Sequence, residues 1–293
     1  MEQIKNCINC DCQDFTTVFT LKDYFYTGET FTIQQCTQCG MHITNPRPAE
    51  EALGAYYKTE NYLSHSDRNV TLFDKMYHFI KKYNLNLKRN LVEKFHSKGT
   101  IIDIGCGTGA FLGQFDKNKW ERLGFEPDSE AREIAKTSYN IEANDLTALD
   151  TLKEKKAEVI TLWHVLEHIS TINEQLAKIK LLLKEDGILV IAVPMSNSYD
   201  AVYYGKYWAA YDVPRHLYHF TKETLEQLLS KHGFKLVKKY PMRFDAFYIS
   251  LLSEKYMEKR FPLLRALVKG ISFNFSANTA KGTYSSMIFV FRQ

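Results

Sequence analysis

The stretch "TIIDIGCGTGAFL", residues 100–112, constrains the fold of this chain more than any other. A short apolar run ends in Asp103 and meets a turn with glycine at Gly105, Gly107 and Gly109. A strand running into such a turn belongs to an open parallel sheet, whose ligands bind beyond the carboxyl ends of the strands. The pattern downstream agrees. Strand signals fall at 100–104, 122–126, near Ile141, 158–163 and 187–193, with helices expected after Gly109 and over 173–184. "FKLVKKY" and "SSMIFVFR" supply two late strands. This alternation predicts an α/β chain with a doubly wound, Rossmann-like sheet.

Upstream, five of the six cysteines lie within the first 39 residues. They form two pairs, Cys7-x-x-Cys10 and Cys36-x-x-Cys39, with 25 residues between them. Each pair can place two thiolates on one tetrahedral ion, and two pairs close a four-sulfur structural zinc site. The segments "FTTVFTL" and "ETFTIQQC" between them read as short strands, so the expectation is a small zinc ribbon over residues 1–46. Cys12 is a spare that complicates ligand assignment, and unligated thiols in an N-terminal arm are the alternative. Pro46 and Pro48 then stiffen the connector, and helix is expected from Ala49 and again over 72–95, with Gly99 as its stop. Residues 47–98 therefore read as a helical connector, and 99–293 as the sheet domain with an aromatic insert at 196–221 and a helical insert at 248–276.

The strand ends decide what the glycine turn holds. The turn also fits G-x-G-x-x-A through Ala110, which a nicotinamide-binding fold would accept, so the glycines alone are weak. Asp103 at a strand tip would repel a pyrophosphate and suit an ammonium group or a water network. Glu126, 23 positions on, ends the second strand where it can accept both hydroxyls of a ribose. Asp145, in "ANDL", stands where an adenine amino group could be read. Taken singly, Glu126 could be a solvated strand end and Asp145 a helix cap.

Together these residues resemble the class I S-adenosylmethionine-dependent methyltransferases: "DIGCGTG" is similar to their first motif, with Glu126, Asp145 and "HVLEH" following in order. The resemblance covers residues 100 to the C-terminus. It implies S-adenosylmethionine as cofactor, approached by Asp103, Gly105, Cys106, Gly107 and Gly109. It further implies that Glu126 with Pro127 holds the ribose, Asp145 with Leu146 the adenine, and that Trp163 and His164 flank the cofactor. The sulfonium is already a strong electrophile, so alignment and water exclusion dominate, and a hydroxyl or carbon acid also needs a base.

The segment "YYGKYWAAYDVPRHLYHFT", 203–221, is crowded with aromatic residues and carries His216 and His219. It is expected over the methyl group, lining an acceptor pocket; a packed loop with satisfied histidines is the alternative. Zinc ribbon, proline connector, sheet and "RHLYHFT" in that order are similar to the deoxysugar C-methyltransferases and their polysaccharide-cluster relatives. That similarity implies His216 as base and a tyrosine after the zinc module, Tyr62 or alternatively Tyr57. Those enzymes carry a long additional C-terminal domain, whereas this sequence stops soon after its last strand.

Composition removes other classes. A net charge of +4 over 293 residues is only mildly basic, and between Cys10 and Cys36 only Lys22 is basic, which argues against nucleic acid. A ribosomal RNA base methyltransferase is the runner-up, and a non-catalytic cofactor-binding scaffold the third reading. The longest apolar run, 187–194, is too short to span a bilayer, and the N-terminus shows no signal-peptide pattern, so a cytoplasmic protein is expected. The basic, apolar segment 248–276 reads as a lid or dimer helix pair, or as contact with a lipid-linked or phosphorylated acceptor at a membrane. The acceptor, whether a sugar or another small molecule, and the oligomeric state are not encoded in any of these motifs.

Overall fold

In the computed structural model the described residues are 1–57, 72–279 and 282–293, and the side chains of 72–79 fall outside the description. The strands in chain order are β1 (Phe15–Lys22), β2 (Thr30–Cys36), β3 (His42–Thr44), β4 (Gly99–Ile104), β5 (Trp120–Phe125) and β6 (Ala143–Asn144). They continue with β7 (Ala157–Trp163), β8 (Leu183–Pro194), β9 (Tyr218–His219), β10 (Lys235–Pro241) and β11 (Ser286–Arg292). The helices are α1 (Glu50–Leu53), α2 (Leu72–Glu93), α3 (Ser129–Tyr139), α4 (Ile172–Leu182), α5 (Tyr199–Tyr204), α6 (Lys222–Lys231), α7 (Asp245–Tyr256) and α8 (Pro262–Thr279).

Seven strands form one sheet in the order β10-β11-β8-β7-β4-β5-β6, with β4 parallel to both β5 and β7, and β5 parallel to β6. Its central strands are apolar on both faces, as Ile101, Ile102, Val159, Ile160 and residues 188–193 are all buried. Strands covered on both sides need such continuous runs rather than alternation. The expected strands are all present, within two or three residues at most ends; β8 begins at Leu183, four residues before the expected start, directly after α4.

Two local expectations are corrected. No α-helix follows Gly109: the chain makes one 3-10 turn, Leu112–Gln114, and re-enters the sheet at Trp120. The cause is length and packing, because the turn Asp116–Lys119 closes the segment and Gly113 lies so close to Tyr139 that a Cβ would sit 2.7 Å from its ring. Gly99 does not stop α2, which ends at Glu93; it opens β4, in register with Trp120.

The chain divides into two compact units. One gathers the N-terminal elements, Leu166–Asn173 and Ala192–Phe289; the other gathers α2 to Val165, Glu174–Ile191 and Val290–Gln293. Within the first unit a four-stranded sheet runs β1-β2-β3-β9. Its outer strand comes from the aromatic insert: His42 pairs with His219 and Ile43 with Tyr218. Tyr204, Trp208, Tyr211 and Val213 pack with Leu21, Phe31, Ile33 and Ile249 into one core. Tyr204, Trp208 and Tyr211 of the insert thus belong to a folding core. Two of them have polar tips that are satisfied, Trp208 Nε1 donating to Asp200 at 2.7 Å and the Tyr204 hydroxyl to Glu254 at 3.1 Å.

Candidate functional site

The glycine turn lies in the second unit, at the carboxyl end of β4. Gly105 has φ +69°, and a Cβ there would meet Val165 Cγ2 at 2.4 Å; Gly107, at φ +51°, faces open space with no atom within 4 Å of an added Cβ. Gly107 N donates to Glu126 Oε2 at 2.9 Å, and Asp128 N donates to Glu126 Oε1 at 3.1 Å. Two backbone donors thus fix the Glu126 carboxylate at the end of β5 while each oxygen keeps a further lone pair. Burial raises its pKa, opposed by those two donors. Arg132 ties down the adjoining backbone, donating to the carbonyls of Glu126 (2.6 Å) and Pro127 (2.8 Å).

Asp103 is almost wholly buried, 1% exposed, and accepts from Thr161 Oγ1 on β7 at 2.5 Å. Burial pushes its carboxyl up to about 7, against the pull of the Thr161 hydroxyl and the Lys88 charge. Cys106 is buried beneath the turn, its Sγ 2.8 Å from where a Cβ on Gly124 would be. Asp145 caps a 3-10 turn, Oδ1 accepting from Thr147 N (3.0 Å), while Oδ2 lies 3.6 Å from Arg132. The cap uses one oxygen only, so capping and adenine recognition are compatible. Leu146 is partly exposed beside it. At the end of β7, His164 takes φ +59°, an uncommon conformation for a residue with a side chain. Trp163 packs edge-on against Phe111 with Lys88 Nζ 4.3 Å from its ring centre, and its buried Nε1 has no hydrogen-bond partner among the described residues.

The first unit holds the histidines. His216 Nδ1 lies 2.8 Å from Ala210 O, and a carbonyl only accepts, so Nδ1 carries a proton and, in the neutral ring, Nε2 is the nitrogen with the lone pair. Asp212 Oδ2 lies 4.0 Å from that Nε2. His168 stacks edge-on at 4.5 Å, with Nδ1 at 3.0 Å from Arg215 O and 2.9 Å from the Tyr57 hydroxyl. Burial, reinforced by His216, pushes His168 down to about 4, so it is neutral at ordinary pH. His219 is held differently. Thr44 Oγ1 donates to His216 O at 2.7 Å and therefore receives its 3.0 Å contact from His219 Nε2–H. Burial takes the His219 pKa well below its usual range. Tyr62 lies outside the described residues.

Among the described residues, two groups of side chains could hold a metal. Cys7, Cys10, Cys36 and Cys39 bring their sulfurs within 4.8 Å of one another, Cys7 to Cys39 at 3.4 Å and Cys10 to Cys36 at 3.6 Å. Tetrahedral Zn–S bonds of about 2.3 Å require sulfur edges of about 3.8 Å, so the cage fits a zinc-sized ion after small adjustment. Cys12 stands apart, its Sγ near Asp14 O and Thr37 Oγ1. Glu167, His168 and His216 also place one ligand atom each within 4.8 Å of one another.

Sequence reasoning missed Thr161, Lys88, Arg132, His168 and the Arg215 ion cluster. The "EH" of "HVLEH" was the one available sign of His168; Thr161, Lys88 and Arg215 act through folding partners far along the chain, and Arg132 through backbone carbonyls five and six residues before it.

A methyltransferase-domain family model matches residues 76–239. Among curated proteins, ubiquinone biosynthesis O-methyltransferases of Rhodopseudomonas palustris are similar. That of strain HaA2 is 25% identical over 150 residues, covering 47% of this chain and 58% of the relative. That of strain BisB18 is 24% identical over 141 residues, covering 45% and 55%. The chain thus spans a little over half the length of the curated relatives it matches. A SAM-dependent methyltransferase from Archaeoglobus fulgidus superposes with TM-score 0.50 at 19% identity, over 72% of this chain and 94% of that one. The cyclopropane synthase MmaA2 from Mycobacterium tuberculosis gives 0.52 at 17%, over 85% and 99%. The Burkholderia thailandensis 1,6-didemethyltoxoflavin-N1-methyltransferase, solved with its substrate and S-adenosylhomocysteine, gives 0.51 at 13%, over 88% and 97%. These likenesses establish the fold.

Proposed function

We propose, from the premise that the chain belongs to the methyltransferase-domain family, that it transfers a methyl group from S-adenosylmethionine to a small-molecule acceptor. The observation that carries this reading is the pairing of Gly107 with Glu126: a backbone open to an incoming ligand beside a carboxylate pre-oriented by two amides. When bound, the cofactor supplies an electrophilic methyl sulfonium. The chain's part is to hold it. Glu126 offers two free lone pairs to vicinal ribose hydroxyls, the exposed Asp145 keeps Oδ2, 3.6 Å from Arg132, out of its cap and able to accept from an amino group, and the buried Trp163 N–H is a donor that a polar ligand would complete.

For the acceptor we favour a hydroxyl, in keeping with the O-methyltransferase relatives, with a sugar-type acceptor as the narrower reading. His216 Nε2 takes the proton, and the resulting imidazolium finds Asp212 at 4.0 Å. Tyr57, the alternative to Tyr62, has its hydroxyl 2.9 Å from His168 Nδ1, which supports it as the tyrosine; Tyr62 lies outside the described residues. His219 serves the sheet through Thr44. The four-cysteine cage takes a structural zinc.

Calorimetric titration with S-adenosylmethionine, S-adenosylhomocysteine and NADH tests the assignment. Binding of the sulfur nucleosides alone, weakened at least about tenfold in Glu126→Ala, is expected. Binding of NADH, or of none of the three, overturns it. With any acceptor that supports turnover, His216→Ala keeps cofactor affinity and loses about 10²–10⁴ in rate. Full turnover by that variant removes His216 from the chemistry.

A further inference from the structure

Helix α8 is apolar on two opposite faces. Ala266, Gly270, Phe273 and Ala277, spaced by four, three and four, are buried, and Gly270 packs on Phe247 of α7 so closely that a Cβ would sit 2.5 Å away. On the other side Leu264, Leu267, Val268, Ile271 and Phe275 form a second helical stripe, each 53–69% exposed. Phe261, 70% exposed, extends it at the joint between α7 and α8. A water-facing helix surface ordinarily carries polar residues there. The stripe from Leu264 to Phe275 is about 16 Å long, and no described helix is long and apolar enough to cross a membrane. This is the form of a helix that lies on an interface.

Charge selects what covers it. Lys255, Lys259 and Arg260 are exposed at the joint, and Lys269 flanks the stripe with Nζ 3.9 Å from the Tyr203 ring centre. Within 246–279 the acids are Glu254 and Glu258. Glu254 is buried and already paired with Arg265 at 2.5 Å, which leaves Glu258 against four cations. A second copy laid on this face would bring like charge to like charge. Lipid headgroups carrying negative charge would satisfy the cations while the acyl region received the leucines and phenylalanines.

We propose that this outer face of α8, with its basic border, docks on an anionic lipid surface, the helix lying in the plane of the membrane. The proposal is independent of the methyl-transfer reading. Co-sedimentation with phosphatidylcholine vesicles, with and without phosphatidylglycerol, tests it, alongside light scattering for oligomeric state. Expected are binding to the anionic vesicles, weakening with salt, and a loss of at least about tenfold in L267E/I271E. The charge-reversed K259E/R260E should lose a similar factor without touching the apolar stripe. Both pairs are exposed, so melting temperature and cofactor affinity should hold. A protein that stays in the supernatant, or binds neutral and anionic vesicles alike, overturns the proposal. So does a dimer that L267E/I271E dissociates without vesicle binding, which assigns the face to a second copy.

Discussion

Arg215 Nη2 lies 2.9 Å from Asp23 Oδ1 although 192 residues separate them, and neither side chain is more than 2% exposed. The same guanidinium forks Asp212, with Nη2–Oδ1 at 2.7 Å and Nε–Oδ2 at 3.0 Å, and donates to Tyr56 O at 3.2 Å. Asp23 is further capped by the amides of Phe25, Tyr26 and Thr27. One buried cation thus joins the turn after β1 to the segment that carries His216.

Breaking this cluster from one side leaves an uncompensated buried charge, so Asp23→Ala or Arg215→Ala should lower the unfolding free energy by about 3–5 kcal/mol. Arg215→Lys should rescue little, because an ammonium cannot fork two carboxylates. Urea denaturation reads both. Desolvation opposes ionisation of Asp23, yet its bonds to Arg215 and Thr27 hold the pKa below the ordinary value. Its contribution is therefore present above the unfolded pKa of about 3.9 and lost as pH falls through the lower folded value. A loss under about 1 kcal/mol in both alanine variants would mean the cluster contributes nothing beyond its surroundings.

Asp103 works in the opposite sense. Its folded pKa of about 7 exceeds the unfolded one, so between roughly pH 4 and 7 the native state binds more protons and stability falls as pH rises. Asp103→Asn should flatten that slope and stabilise the protein by a few kcal/mol at neutral pH, while weakening cofactor binding. Melting temperatures across this pH range, with calorimetry at one pH, check it. An unchanged slope would locate the titration elsewhere.

The seven-stranded sheet was legible because parallel strands buried on both faces must be continuous apolar runs, and Ile101–Ile102 and residues 188–193 are such runs. The cysteine pairs were legible because sulfur ligation demands close spacing in sequence. Burial of the aromatic insert was not. Trp208 and Tyr211 read equally well as pocket walls or as core, and β9 exists only because His42 and Ile43 offer it an edge some 175 residues away. The Asp103–Thr161 bond was invisible for the same reason, since strand neighbours are set by topology rather than by sequence distance. The missing helix after Gly109 shows a glycine turn leading into a 3-10 turn, so no long helix dipole starts at that turn.

The cysteine cage makes a two-variant comparison decisive. Zinc released to a chromophoric chelator should be one per chain in the unaltered protein and in Cys12→Ser, because Cys12 Sγ sits with Asp14 and Thr37. Cys36→Ser should release none and unfold more easily, since a four-sulfur site contributes directly to folding. Without a cation, burial pushes the Cys7 thiol up to about 11, so that sulfur has no bound charge to offset its desolvation. Retention of zinc by Cys36→Ser would exclude the four-cysteine set.

Gly105 and Gly107 are two residues apart, have similar positive φ, and should nonetheless fail in different ways when given a methyl group. An alanine at Gly105 places Cβ 2.4 Å from Val165 Cγ2 in addition to the left-handed backbone cost. Together these should destabilise the fold by about 2–5 kcal/mol, from roughly 1–2 for the backbone and 1–3 for overpacking. At Gly107 the added Cβ meets nothing within 4 Å, so only the backbone cost, about 1 kcal/mol, applies. The methyl instead occupies the space beside Glu126 that the cofactor is proposed to enter. Gly107→Ala should therefore melt close to the unaltered protein and bind S-adenosylhomocysteine at least about tenfold more weakly, a loss of roughly 1.4 kcal/mol. Gly105→Ala should melt far lower. If Gly107→Ala binds as tightly as the parent, the open side of the turn is not where the cofactor lies, and Glu126 must be serving the turn itself.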